Sequence, residues 1–163
     1  MHRKTKETVL ILKKVKNMKK IMILAAAMLL LSVTSARADH DRPIQFNQLP
    51  VAAQEFVNTY FADQKVSFAK EERDFMEVRY EVMFTNSIKI EFYKDGQWKE
   101  VNCKYSVLPA GIVPEQIMTY VNSNFPGVQV HSIDRDRRDI EVELTNGLEL
   151  TFDLYYNLID MDD

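Results

Sequence analysis

The stretch Ile140 to Phe152, Ile-Glu-Val-Glu-Leu-Thr-Asn-Gly-Leu-Glu-Leu-Thr-Phe, alternates apolar and polar residues on both sides of a turn, and the pattern also occurs sixty residues earlier, at Tyr80 to Phe92. Alternation of period two marks an antiparallel strand with one face buried and one in water. A chain that writes this hairpin twice is constrained to a sheet covered on one face. Residues opposite each other on paired strands share a face, and this decides the turn. A two-residue loop at Asn146-Gly147 would set Leu144 against Glu149. A three-residue loop, Thr145 to Gly147, pairs Leu144 with Leu148, Val142 with Leu150 and Ile140 with Phe152. Such loops commonly end in a residue of positive φ, which suits Gly147. Ser87 holds that place in the earlier copy, so some strain is expected there with the register kept: Phe84 with Ile88, Val82 with Ile90, Tyr80 with Phe92.

What surrounds the hairpins is also written twice. Leu49-Pro50 opens a helix whose Ala52, Ala53, Phe56, Val57, Tyr60 and Phe61 recur at helical spacing on one face. Lys65 to Lys70 reads as a short strand, and the charged stretch Glu71 to Asp74 leads into the first long hairpin. Val113-Pro114, Val121, Phe125-Pro126 and Val130 repeat this plan 64 residues later. The separation falls to 60 at the hairpins, so the second copy loses four residues between Asp134 and Asp139. Units this small bury only about 60% of their unfolded-chain surface, but two of them can share a sheet. The expected fold is α+β: tandem helix-plus-antiparallel-sheet repeats at 48–102 and 113–163, joined by a connector at 103–112. They form one sheet of about eight strands with both helices on one face. Residues 39–47 read as a flexible lead-in.

Residues 1–38 have the layout of a secretory signal, with Lys19 and Lys20 before an eleven-residue apolar run, Ile21 to Leu31, and Ala36-Arg37-Ala38 as a cleavage pattern between Ala38 and Asp39. The apolar run is too short to span a bilayer comfortably. Residues 1–17 read as an upstream extension, Met18 being the more ordinary start. The expected location is periplasmic or secreted, with no membrane association once the signal is removed. Nine of the 21 Lys and Arg but one of the 24 Asp and Glu lie in residues 1–38, leaving a net charge of −11 on the rest. Such a chain repels phosphate backbones, which argues against nucleic acid and leaves basic proteins, cations or cationic peptides as partners, while the charge also serves solubility. Cys103 is the lone cysteine, so no internal disulfide forms.

The motif set Leu-Pro at the first helix, Tyr60-Phe61 and Asn124-Phe125-Pro126 at the helix ends, Tyr80-Glu81-Val82 and Ile140-Glu141-Val142, Thr145-Asn146-Gly147, and Asp95-Gly96-Gln97-Trp98 before a strand resembles the PepSY-like periplasmic proteins of Bacteroidetes, relatives in fold of the β-lactamase inhibitory protein. The resemblance covers essentially all of residues 39–163. It implies tandem repeats forming one concave sheet, no catalysis, and a binding or inhibitory role. It does not imply β-lactamase inhibition, because that protein's disulfides are absent and its contact loops cannot be matched. Ser87 and Tyr155-Tyr156, where the first copy has Asp95-Gly96, depart from the pattern.

Catalytic constellations are missing: there is no Gly-x-Ser-x-Gly, His-Glu-x-x-His or Cys-x-x-Cys, and the chain has four glycines. No enzyme, cofactor or metal is expected. Asp134, Asp136 and Asp139 lie in an arginine-rich loop that lacks the glycine and terminal glutamate of a calcium loop. The site reading turns on Asp95-Gly96. A two-residue loop there pairs Tyr93 with Trp98 and Ile90 with Val101, placing Trp98 beside Tyr93 on the open face. A three-residue loop puts Trp98 opposite Phe92 but drives Glu100 into the core. The cost of a buried carboxylate favours the first. The same register pairs Phe152 with Ile159 and Leu150 with Met161. Tyr93, Trp98, Arg79 and Met83 are therefore the expected partner-binding residues of a monomeric module that docks a protein or peptide. The rival reading is an envelope folding or assembly accessory without a dedicated partner.

Overall fold

In the computed structural model both hairpins close as three-residue loops. The Leu144 N–H donates to the Leu148 carbonyl at 2.8 Å, and the Phe84 N–H donates to Ile88 at 2.9 Å. Gly147 has φ +92° and Ser87 has φ +69°. The strained serine is thus tolerated, with Ile140 opposite Phe152 and Tyr80 opposite Phe92. The structure describes residues 41–74 and 77–163, all within the unit Asp39–Asp163. The signal, its Ala38–Asp39 cleavage site and the start-codon question fall outside the described residues.

In chain order the elements are β1 (Arg42–Ile44), a 3₁₀ turn (Phe46–Gln48), α1 (Val51–Tyr60), β2 (Val66–Arg73), β3 (Val78–Phe84), β4 (Lys89–Tyr93), β5 (Trp98–Asn102), α2 (Glu115–Asn124), β6 (Val130–Arg135), β7 (Asp139–Leu144), β8 (Glu149–Asp153) and β9 (Leu158–Asp162). They make one nine-stranded antiparallel sheet whose spatial order is the chain order. The expected eight strands become nine because the lead-in is not loose. Its Arg42, Pro43 and Ile44 pair with Glu71, Lys70 and Ala69. β2 likewise runs through the charged stretch to Arg73. Glu71 can stand buried on the helix side because Arg42 (2.8 Å) and Arg73 both hold its carboxylate.

One row of side chains crosses the sheet and defines its covered face: Ile44, Ala69, Val82, Ile90, Val101, Ile133, Val142, Leu150 and Met161. Six of these, Val82 to Leu150, are fully buried. Val101 against Ile133 joins the β1–β5 half to the β6–β9 half. Both helices lie on this face. Phe56 of α1 meets Phe92 edge-on at 5.9 Å, and Tyr120 of α2 meets Phe152 edge-on at 5.5 Å. Each helix follows a proline cap, Pro50 or Pro114, and closes through a phenylalanine N–H, Phe61 to Val57 and Phe125 to Val121, both 2.8 Å.

The turn after Tyr93 overturns the expected register. It is a three-residue loop, Lys94 to Gly96, in which the Tyr93 N–H donates to Gln97 at 2.8 Å and Gly96 has φ +86°. Trp98 therefore opposes Phe92 on the helix side. The objection to that loop was a buried Glu100, and a β-bulge removes it. The extra residue Lys99 resets the strand, so that Glu100 faces Glu91 outside and Val101 still faces Ile90 inside. β8 and β9 do the same. Phe152 opposes Leu158, not Ile159, while Leu150 keeps Met161. Tyr156 takes the Gly96 place at φ +66°.

Candidate functional site: the open face of the sheet

Alternation puts one set of residues on the face without helices. Of the four expected site residues, Arg79, Met83 and Tyr93 are there and Trp98 is not. Trp98 packs 6.3 Å from Phe56 on the helix side, with the Arg135 guanidinium 4.3 Å over its ring. Met83 lies between Phe68 and Lys89 on neighbouring strands, and Phe68 is 44% exposed. This is a small apolar patch. Tyr93 acts as a strut, its hydroxyl donating to the Arg135 carbonyl across β5 at 2.6 Å. Arg79 donates to Glu77 at 2.7 Å. A groove of about 600 Å³ runs past Arg79, Tyr93, Lys99 and Arg137 at this end.

The middle of the face is an acidic row: Lys70, Glu81, Glu91, Glu100, Asp134, Glu141, Thr151 and Asp160 oppose one another in sequence across β2 to β9. The two halves treat their acids differently. Toward β2, Lys70 pairs with Glu72 (2.6 Å) and Glu81 (3.4 Å), and Lys89 with Glu91 (3.0 Å) and Glu100 (2.7 Å). Lys99 holds Asp134. Strands β7 to β9 carry no Lys or Arg. Asp134, Asp139 and Glu149 stand in β6–β8 where Lys70, Arg79 and Lys89 stand in β2–β4, offset by 64 or 60 residues. Glu100, Asp134, Glu141, Glu143 and Glu149 line a concavity of about 370 Å³ with Asn102 and Ser132. His131 approaches Glu143 at 3.4 Å.

The carboxylates register this contrast. Burial pushes Glu91 upward, but the Lys89 hydrogen bond and charge outweigh it and leave its pKa below the usual value. Glu141 is raised, by burial first and then by the negative charges of Glu149, Asp134 and Asp139. Ionised Glu141 is therefore disfavoured in the folded chain, and its contribution to stability improves as pH falls through the raised value. A positive charge brought to this concavity would relieve that repulsion. The signal was present in the sequence: adding outward charges separately for β2–β5 and β6–β9 separates a mixed face from an acidic one.

Other chemistry is sparse. Cys103 is buried, and burial raises its pKa, which keeps the thiol protonated and unreactive. Asp136 closes its own loop by accepting the Arg138 N–H at 2.6 Å. Among the described residues no three His, Cys, Asp or Glu side chains group closely enough to hold a metal ion, and no helix is long and apolar enough to cross a membrane.

Residues 78–160 match the family described as "Putative beta-lactamase-inhibitor-like, PepSY-like". Solved structures are similar to this chain, three of them from Bacteroides. A "putative periplasmic protein from DUF2874 family" of Bacteroides vulgatus is 51% identical, with a TM-score of 0.76, over 77% of this chain and 99% of that one. A "putative calcium-regulated periplasmic protein" of Bacteroides thetaiotaomicron is 50% identical, with a TM-score of 0.75, over 77% and 99%. A "putative periplasmic protein of unknown function" of Bacteroides vulgatus is 34% identical, with a TM-score of 0.72, over 76% and 99%. No curated protein matches. Fold, hairpin motifs and these similarities agree: the chain is a periplasmic protein and belongs to the PepSY-like family.

Proposed function

We propose that this protein is a non-enzymatic, monomeric binding module of the periplasm that docks a basic segment of a protein partner across the open face of its sheet, in an inhibitory or regulatory role. The observation that carries this reading is the acidic half of the face, whose strands β7 to β9 carry no Lys or Arg. Glu141, Glu143 and Glu149 line one concavity, where burial and then the negative charge of Glu149 raise the Glu141 carboxyl, and the exposed Phe68 and half-buried Met83, on β2 and β3 in the other half of the same face, supply apolar contact. Complementary charge speeds encounter and selects partners, and a segment laid across the face would meet the acidic concavity in one half and the apolar patch in the other. The two halves are read as tandem copies of one unit, of which the second has exchanged its outward bases for acids. A general envelope accessory has less need of a face so unevenly charged.

The test is capture from periplasmic extract on the immobilised protein, against the double variant Glu141→Lys, Glu149→Lys. The wild type is expected to retain one stoichiometric basic companion and the variant to lose at least tenfold of it, with unfolding free energies within about 0.5 kcal/mol of each other, the usual range of surface substitutions. Capture should also weaken as pH falls and the carboxylates protonate. The experiment is run with calcium and with a chelator, because one relative is described as calcium-regulated. Many companions, or none, would favour the accessory reading, and equal capture by the variant would remove the acidic half from the site.

A further inference from the structure

The two edges of the sheet are built differently. β1 is three residues long, carries Pro43 with no N–H to offer, and is tied down by Arg42 to Glu71 (2.8 Å) and Asp41 to Lys70 (2.9 Å). These are devices that keep an edge from recruiting another strand. β9, Leu158–Asp162, is longer, has no proline and no basic residue, and pairs with β8 along one side. Two of its three apolar side chains are uncovered: Ile159 is 58% exposed and Met161 44%, and Leu154 and Tyr155 in the preceding turn are exposed too. The Met161 N–H donates to the Asp160 carboxylate at 2.9 Å, so a side chain occupies an amide that a further strand would take. Residues 139–163 hold eight Asp and Glu and no Lys or Arg.

We propose that β9 is a docking edge that accepts an extended basic segment of a partner protein as a tenth strand. Backbone hydrogen bonds from the added strand give affinity, and alternating side chains give selectivity. On the helix side the segment meets Leu158 and Met161, which oppose Phe152 and Leu150, and so calls for apolar or β-branched residues. On the open side it meets Asp160, opposite Thr151, and calls for Lys or Arg. A second copy of this chain does not fit, because pairing two β9 strands sets Asp160 and Asp162 of each against those of the other. This edge adjoins the acidic concavity, since Asp162 opposes Glu149, but offers a backbone ladder that the concavity lacks.

The test uses the protein purified from the periplasm and three capped decapeptides: one alternating Lys and Val, the same with Glu for Lys, and the Lys–Val peptide N-methylated throughout. The Lys–Val peptide is expected to bind, to slow amide exchange at Met161, and to bind at least tenfold tighter than either of the others. Asp160→Lys, Asp162→Lys should reduce binding at least tenfold, and Glu141→Lys, Glu143→Lys, in the concavity on β7 two strands from this edge, less than threefold. Equal binding of the N-methylated peptide, which keeps the charge but cannot donate, would overturn strand addition, as would protection confined to other strands. If the order of the two double variants is reversed, the peptide sits on the open face and the β9 proposal fails while the open-face reading stands. A dimer in sedimentation that protects β9 would overturn the choice of occupant.

Discussion

Phe92→Ala is expected to cost about 3 to 5 kcal/mol, the usual range for truncating a fully buried phenylalanine. Phe92 is completely buried, with Tyr80 opposite on β3 and Trp98 opposite on β5. Its ring takes the edge-on contact from Phe56, which also meets Trp98 on β5 and packs against Tyr60 and Phe61 at the end of its own helix. Truncation opens a cavity beneath α1 that β-sheet backbone on the other side cannot collapse to fill. Out of a total stability of about 5 to 15 kcal/mol, the loss should be plain in a urea titration with unchanged slope. A loss below about 1 kcal/mol, the level of an ordinary substitution, would mean that α1 does not rest on this ring.

Gly96→Ala is expected to be the next most damaging change, at about 2 to 4 kcal/mol, where strain and overpacking add. Two glycines separate the causes. Gly96 and Gly147 close equivalent loops at φ +86° and +92°, so each substitution incurs the left-handed backbone strain of about 1 to 2 kcal/mol. A Cβ at Gly147 meets nothing within 4 Å, whereas one at Gly96 lies 2.8 Å from Pro50 Cβ and 3.0 Å from the Ala53 nitrogen. Those are the cap and first turn of α1, held by backbone and unable to give way cheaply. Gly147→Ala should therefore show the strain alone. Equal losses in parallel thermal melts would show that the α1 contact adds nothing. Tyr156 already occupies the matching turn of β8–β9 at φ +66°, consistent with packing being what makes glycine necessary at 96.

Much of this architecture is legible in the sequence because period-two alternation leaves one register that buries the apolar set, as at Ile140–Phe152. The 64- and 60-residue offsets likewise place both helices and both hairpins. Three features escaped for physical reasons. Arg42–Ile44 and Glu71–Arg73 look polar and loose until their opposite charges are seen to meet across paired strands. Trp98 was misplaced because strict parity forbids what a single bulged residue, Lys99, allows. The acidic half was visible but hidden in plain alternation, since each outward glutamate is unremarkable singly and significant only where the lysines of the first half have no counterpart. Ile117 and Ile133, both fully buried, lie on the second helix and its following strand, where the apolar pattern is thinner.

The central claim is that a partner docks on the open face, and site-specific photo-cross-linking in the periplasm tests it most directly. A photoreactive residue at Met83 or Glu143, on that face, should trap a basic companion. The adduct should vanish when Glu141 and Glu149 are changed to lysine. The same probe at Asn58 or Asn122, exposed on the outer sides of α1 and α2, should trap nothing specific. Adducts formed from the helix positions, and indifferent to the charge at 141 and 149, would contradict the account.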